Sequence, residues 1–357
     1  MTEIDSYPKA MLTFLTGSYT EYLSPDFGGT GRGIYTVQLN TETGALRPLH
    51  TEYVRNPSYL ALSEDQRFLY CVTELDQRDD PKVKAFRVSD DFSLVFLNEQ
   101  PIAGGYPCHL LVHEQRVWVA CYATGNVLQF PLDAAGHLLP CAQNHQHSGS
   151  GVNPARQEGP HAHQVAVHPH GEDIYVCDLG IDTLKAYRLN GADLVPQEKK
   201  DCRVTAGGGP RHLVFNAEGS LAYVLNELTA RVSVLQNQDG TFTEINSYGA
   251  LPPGYEGAAS GSAIRLHPNG RWLYAGNRQS DTIAIFKVEG NTLVSVGFQT
   301  TQGKELREFN LTPDGRWLIA CHQNSHDTVV YEIQGDGSLV ERFRTQEILS
   351  PVCAVFL

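Results

Sequence analysis

Short apolar runs recur along the whole chain, separated by turns rich in Gly, Asp and Asn. In residues 207–228, GGGPRHLVFNAEGSLAYVLNEL, apolar positions alternate with others on both sides of Glu218-Gly219. Successive side chains of a strand face opposite sides, so this pattern predicts two strands joined by a tight turn. The polar residues Arg211, His212, Asn226 and Glu227 collect at the far ends of those strands.

Aligning the turns at Gly171, Gly219, Gly270 and Gly315 converts the pattern into a repeat. Four lines stack: HPHGEDIYVCDLGIDTLKAYRL, NAEGSLAYVLNELTARVSVLQ, HPNGRWLYAGNRQSDTIAIFKV and TPDGRWLIACHQNSHDTVVYEI. SEDQRFLYCVTEL with VKAFRV is a further copy, and VHEQRVWVACYATGNVLQFPL another that is one residue shorter. The seventh is split, with FLTGSYTE and GIYTVQLNTETGAL near the start and PVCAVFL at the end. The four glycines lie 48, 51 and 45 residues apart, and 357 residues shared among seven copies give 51 each.

Each copy reads as strand, turn, strand, polar loop, strand and a weaker fourth strand. Four-stranded units of about 40 to 50 residues are propeller blades. One blade cannot bury both its faces, whereas a closed ring of them can. The expected fold is all-β: a single seven-bladed β-propeller over residues 1–357, with four-stranded antiparallel blades. The first blade would be closed by N- and C-terminal strands. A pair of β-sandwiches is the rival, and seven copies of one pattern disfavour it.

The innermost strand of each blade lines the central channel, so equivalent positions form rings. Arg211 aligns with Ser58, Cys108, His163, Ser262, Arg307 and Val352; Glu227 aligns with Tyr19, Glu74, Ala123, Leu179, Arg278 and Gln323. The position before it carries Ser18, Thr73, Tyr122, Asp178, Asn226, Asn277 and His322. A pure scaffold would tend to repeat one residue around a ring. Here His163, Arg211, Glu227, Arg278 and Arg307 crowd the fourth to seventh copies. Arginines, a carboxylate and a histidine converging on one mouth describe an anion site with acid/base capacity. The blander reading is a set of solvated or mutually paired strand-end charges.

Composition narrows the partners. A net charge of −13 lacks the basic footprint of a nucleic-acid or anionic-membrane binder. It still permits a locally positive pocket for a small anion. No apolar run is long enough to span a bilayer, and MTEIDSYPKAMLTFLTG lacks the basic start of a secretory signal, so a cytoplasmic chain is expected. The composition permits a monomer or weak homo-oligomer. Eight scattered cysteines have no C-x-x-C pair and read as reduced thiols; Cys121, Cys177 and Cys321 share one aligned position and read as packing. The H-x-H of PHAH has no accompanying carboxylate at a ligand spacing, so neither a metal nor another cofactor is expected. His168 and His170 fall in a turn and are expected to face solvent. Residues 145–159 form an insertion before the fourth blade, of the kind that often covers a binding mouth.

RQEGPHAH, VCDLGIDTLKAY, GGGPRHLVF with AYVLNEL, LYAGNR with SDTIAIF, and NPSYLALSEDQRFLY resemble the seven-bladed propeller lactonase family, across nearly the whole chain. That family includes propeller-type 6-phosphogluconolactonases and carboxy-cis,cis-muconate cyclases. The resemblance implies catalytic roles for His163 (His161 being the alternative), Arg211, Glu227 and Arg278, the set already found in the columns. It leaves His161, His109, Asn226, Asn277, Arg307 and His322 as candidates for holding substrate. CHQN, LREF and GNRQ depart from the family's usual strings, and these departures bear on which lactone is taken. The expected substrate is a small anionic sugar lactone or related carboxylate, most of all one like 6-phosphogluconolactone. No G-x-S-x-G elbow is present, so direct attack by water is expected, without a covalent intermediate. A muconate-type cycloisomerase is the alternative activity. A non-catalytic platform for protein partners ranks third.

Overall fold

A computed structural model describes residues 10–25 and 27–357 of the chain. The expectation that no leader segment is present rests largely on residues 1–9, which lie outside the described residues. Among the described residues, seven antiparallel sheets of four or five strands follow one another around an axis, and Tyr22–Ser24 with Phe27–Gly28 forms a separate two-stranded ribbon. In the fifth, Pro210–Phe215 lies innermost, followed by Leu221–Asn226, Arg231–Gln238 and Thr241–Gly249 at the rim. The first sheet takes its innermost strand, Val355–Phe356, from the C-terminus and pairs it with Met11–Thr16. Val352 N–H donates to Gly17 O and Tyr19 N–H to Ser350 O, so both chain ends close the ring. In the fourth blade the outer strand is broken into Asp193–Pro196 and Cys202–Arg203 by a 3₁₀ turn at Glu198–Lys200.

The core is not one mass. Seven buried apolar clusters lie among the described residues, each made by two adjacent blades. Leu221, Tyr223 and Val232 of blade five, for example, pack on Ile264, Leu273 and Phe286 of blade six. The second strand of a blade is covered on both faces, which is why Leu221–Asn226 is buried throughout while Thr241–Gly249 is largely half-exposed. Fully burying one such side chain is worth about 1.5–3 kcal/mol. All eight cysteines are unpaired, and Cys121, Cys177 and Cys321 are fully buried in these layers.

The histidine at the end of an inner strand corrects one expectation. His168 is buried, and its Nε2 lies 2.9 Å from Gly219 O in the next blade. His113 reaches Gly171 O and His267 reaches Gly315 O in the same way. Gly219 sits at φ +66°, and a Cβ there would stand 2.4 Å from the His168 ring. These glycines therefore mark blade-to-blade clamps as well as turns. His170 is exposed, as expected of a turn residue.

A candidate active site at one mouth of the channel

Arg211 reaches the channel because the strand that carries it is bulged. Pro210 pairs with Asn226 and His212 with Leu225, leaving Arg211 as an extra residue. Cys108, His163 and Arg307 are extra residues in the same way in blades three, four and seven. A bulge leaves its extra residue out of the ladder and re-aims that side chain. The glycines ahead of Arg211 are fixed by Asp182, whose carboxylate accepts from Gly207 N–H and Gly209 N–H at 2.7 and 2.9 Å. Gly209 has φ +68°, a conformation that favours glycine.

The second column is set by one recurring backbone bond. Glu227 N–H donates to Gly209 O, Arg278 N–H to Ser260 O, Glu74 N–H to Asn56 O and Leu179 N–H to His161 O. In each case the acceptor stands two residues before the ring residue of that blade. Blade three is offset: there Tyr122 N–H donates to Tyr106 O, which is the acceptor two before Cys108. Tyr122, rather than Ala123, therefore occupies the column, because this copy is one residue shorter. Tyr122 lines the cavity, and Ala123 is exposed.

The two rings enclose a cavity of about 300 Å³, the lower end of the range for small-molecule sites. Phe27, Tyr106, Tyr122, Cys108, His163, Glu74, Glu227, Arg156, Arg278 and Arg307 form its wall. Glu227 is the centre. Its Oε2 lies 2.8 Å from Arg278 Nη2, 3.2 Å from Arg211 Nε and 3.9 Å from His163 Nε2. Arg156 Nη2 donates to its Oε1 at 2.6 Å. Arg211 is braced from behind by Ser262 O and by the ring of His212. Its Nε–H, though close to Glu227, is not aimed along a hydrogen bond, and Arg278 Nε–H, 3.9 Å from Glu305 Oε1, makes none either among the described residues. Cys108 Sγ lies 3.7 Å from His163 Nδ1.

Protonation follows from this packing. Burial alone would raise the Glu227 carboxyl, but Arg278 and then Arg211 overcome it and hold the group well below the usual carboxylate range. Burial, reinforced by Arg211, pushes His163 well below the ordinary imidazole value, so its ring is neutral near pH 7. Burial, with the nearby Arg278 and Arg307, lowers Arg211 to about 10, which still leaves it charged at neutral pH. Opposite Glu227, Glu74 accepts from Tyr19 Oη at 2.8 Å, and Arg307 donates to the same hydroxyl at 2.9 Å. Arg307 lies 3.7 Å from Glu74 Oε1 and within 6 Å of the Tyr19 and Phe27 ring centroids, at 5.6 and 5.9 Å.

His163, Arg211, Glu227, Arg278 and Arg307 are thus brought together at one mouth. The other candidates are not. Asn226 bonds Ser233 Oγ and Arg231 O, Asn277 bonds Ala250 O, and His322 faces Asp327 O. These three turn into their blades because the alternation of a strand sends neighbouring side chains opposite ways. His109 lies behind the ring, packed at a tilt against Tyr59 with ring centroids 4.2 Å apart. His161 stacks on Tyr122 at 4.4 Å, its Nδ1 lies 2.9 Å from Tyr122 O, and it stands behind the wall rather than in it. The sequence reading missed Glu74 and Tyr19, although both stand in the Glu227 column, and it missed Arg156. Residues 145 and 146 belong to the strand Gln143–Gln146 of blade three, so the insertion begins at His147. It packs against blade four through His147 and Gln157 and brings Arg156 to the cavity wall.

Comparison with known proteins agrees with this architecture. The family described as "Lactonase, 7-bladed beta-propeller" matches residues 13–356. A 6-phosphogluconolactonase of Bacillus subtilis is 34% identical over 299 residues, 82% of this chain and 84% of that one. A Bacteroides fragilis structure provisionally named as a 6-phosphogluconolactonase superposes with a TM-score of 0.90 at 33% identity, over 99% of both chains. A periplasmic gluconolactonase of Pseudomonas aeruginosa also superposes with a TM-score of 0.90, at 27% identity, over 97% of this chain and 99% of that one. With seven blades, a ring closed by both chain ends and a match along nearly its full length, the chain belongs to the seven-bladed β-propeller lactonase family, whose members include hydrolases that open cyclic esters.

Proposed function

We propose that the protein hydrolyses a sugar lactone at the Glu227 mouth, and that 6-phosphogluconolactone is the substrate its pocket suits best. The observation that carries this reading is one buried carboxylate held by three arginines, with a neutral imidazole 3.9 Å away. Three arginines and two glutamates line the cavity, and Arg211 and Glu305 stand just behind Glu227 and Arg278, so the pocket holds an excess of positive charge inside a chain of net charge −13. A phosphorylated sugar acid derivative supplies the complementary charge.

In the proposed reaction Glu227, ionised, accepts a proton from water as the water oxygen attacks the lactone carbonyl. His163, neutral, orients that water through its ring nitrogen. The carbonyl π electrons move to the oxygen, and Arg211 and Arg278 stabilise the oxyanion through their guanidinium charge. Collapse breaks the bond to the ring oxygen, which takes the proton from Glu227 and leaves as a hydroxyl. The product is the open-chain acid, and no covalent intermediate forms.

Incubation with 6-phosphogluconolactone, glucono-δ-lactone and muconolactones, followed by proton release, and with the unsaturated diacids that cyclise to muconolactones, followed by ultraviolet absorbance, tests the reading. Turnover of sugar lactones is expected. Failure with every lactone, or turnover of unsaturated diacids alone, would overturn it, the latter in favour of a cycloisomerase.

A further inference from the structure

The arginines at Glu227 are not equivalent. Arg211 and Arg278 extend from blade strands or their ends, with side chains 3% and 10% exposed. Arg211 is tied to Ser262 O and His212, and Arg278 Nη2 lies 3.3 Å from Gly261 O. Arg156 is 44% exposed, and its described bonds are to Glu227 Oε1 and to Tyr122 Oη at 3.2 Å. Both partners belong to the cavity wall.

The strap that carries Arg156 is itself held firmly. Gln157 is fully buried, and its amide donates to Leu179 O at 2.9 Å and to Asp182 Oδ1 at 2.7 Å. Its Oε1 accepts from Asn153 N–H at 3.1 Å. At the start of the strap, buried His147 lies 2.5 Å from Asp178 Oδ2 and 2.7 Å from Tyr187 Oη through its two ring nitrogens. A fixed backbone next to a half-exposed guanidinium leaves the side chain, not the strap, as the part able to move.

We propose that Arg156 is the specificity-determining residue of this site: its guanidinium leaves Glu227 to grip the phosphate of the substrate, and so frees one carboxylate oxygen for proton transfer. The inference rests on the lactonase reading and assigns a role within it. Covalent structure places the phosphate correctly. In 6-phosphogluconolactone the phosphorylated carbon is bonded to the carbon bearing the ring oxygen, so the phosphate lies close to the scissile ester. A residue touching Glu227 is then within reach of it. The planar fork of arginine matches a phosphate bidentately. Losing one of three neighbouring cations makes Glu227 a stronger proton acceptor. Substrate charge is thereby coupled to the readiness of the base.

The test compares wild type, Arg156→Met and Arg156→Lys. The ratio of kcat/KM for 6-phosphogluconolactone to that for glucono-δ-lactone is expected to fall about 10- to 100-fold in Arg156→Met, the loss typical of hydrogen bonds to a charged group. Arg156→Lys should recover part of it. An unchanged ratio, with both substrates affected equally or not at all, overturns the inference. Calorimetric titration with 6-phosphogluconate and gluconate reads the same discrimination without turnover. A preference for the phosphorylated acid that Arg156→Met leaves intact sinks the role of Arg156, whereas wild-type protein that opens no lactone sinks the lactonase reading instead.

Discussion

Glu227 and Glu74 occupy the same repeat position in blades five and two, and their N–H groups make the same backbone hydrogen bond. Their surroundings differ. Glu227 meets Arg278 from the next blade, Arg211 from its own and Arg156 from the strap. Glu74 meets a tyrosine hydroxyl at 2.8 Å and one arginine at 3.7 Å. The repeat therefore decides where a side chain stands, and the neighbouring blades decide what chemistry it can do. One half of the mouth is built as a charged centre, and the other as a polar and aromatic wall.

Substituting the two carboxylates separates these roles most sharply. Glu227→Gln is expected to lower kcat/KM for a sugar lactone by about 10²–10⁴, the usual worth of a positioned proton-transfer group. Glu74→Gln and Tyr19→Phe should each cost about tenfold, the lower end of what one hydrogen bond to a charged group is worth. Equal losses at Glu227 and Glu74 would abolish the distinction.

Stability should follow the same order. Removing one partner of a buried ion pair costs about 3–5 kcal/mol, and Glu227→Gln leaves three arginines without their carboxylate where Glu74→Gln leaves one, so it should shift a urea melt at neutral pH more than Glu74→Gln. The sign with pH follows from a folded carboxyl held below its ordinary value. The ionised group stabilises the fold above the unfolded value of about 4.3, and that contribution fades as pH falls toward the lower folded value. The gap between wild type and Glu227→Gln should thus narrow below about pH 4. A gap that widens on acidification would show that Glu227 is not held as an anion.

The smallest expected effect is a flat line. His163 stays neutral and Glu227 ionised around neutral pH, so with glucono-δ-lactone, which carries no titrating phosphate, the logarithm of kcat/KM should show no inflection near 6.5. An inflection there that vanishes in His163→Gln would mean that the imidazole titrates, and the proton roles would need reassignment.

Much of the molecule was legible in the alternation of apolar residues and the spacing of its turn glycines. The seven blades and the closing strand Val355–Phe356 follow from that periodicity, because a strand's facing is set by parity and a blade's edges by its turns. The Arg211 and Glu227 columns were legible too, since equivalent positions of a ring meet at one mouth. Parity misled at Asn226, Asn277 and His322, which adjoin the column and face inward to their own blades. It misled at Ala123 as well, where a copy shorter by one residue moved Tyr122 into place.

The sequence by itself determined the repeat, the ring and the convergence of His163, Arg211, Glu227, Arg278 and Arg307 at its mouth. Tertiary structure alone decided that bulges would turn Cys108, His163, Arg211 and Arg307 into the channel. It also brought Arg156, from a strap without repeat symmetry, to the carboxylate of Glu227, 71 residues along the chain. The reason is physical. Periodicity is a local property of the backbone, whereas the partner of a charge is chosen by distance in space, where closing the ring makes remote residues neighbours.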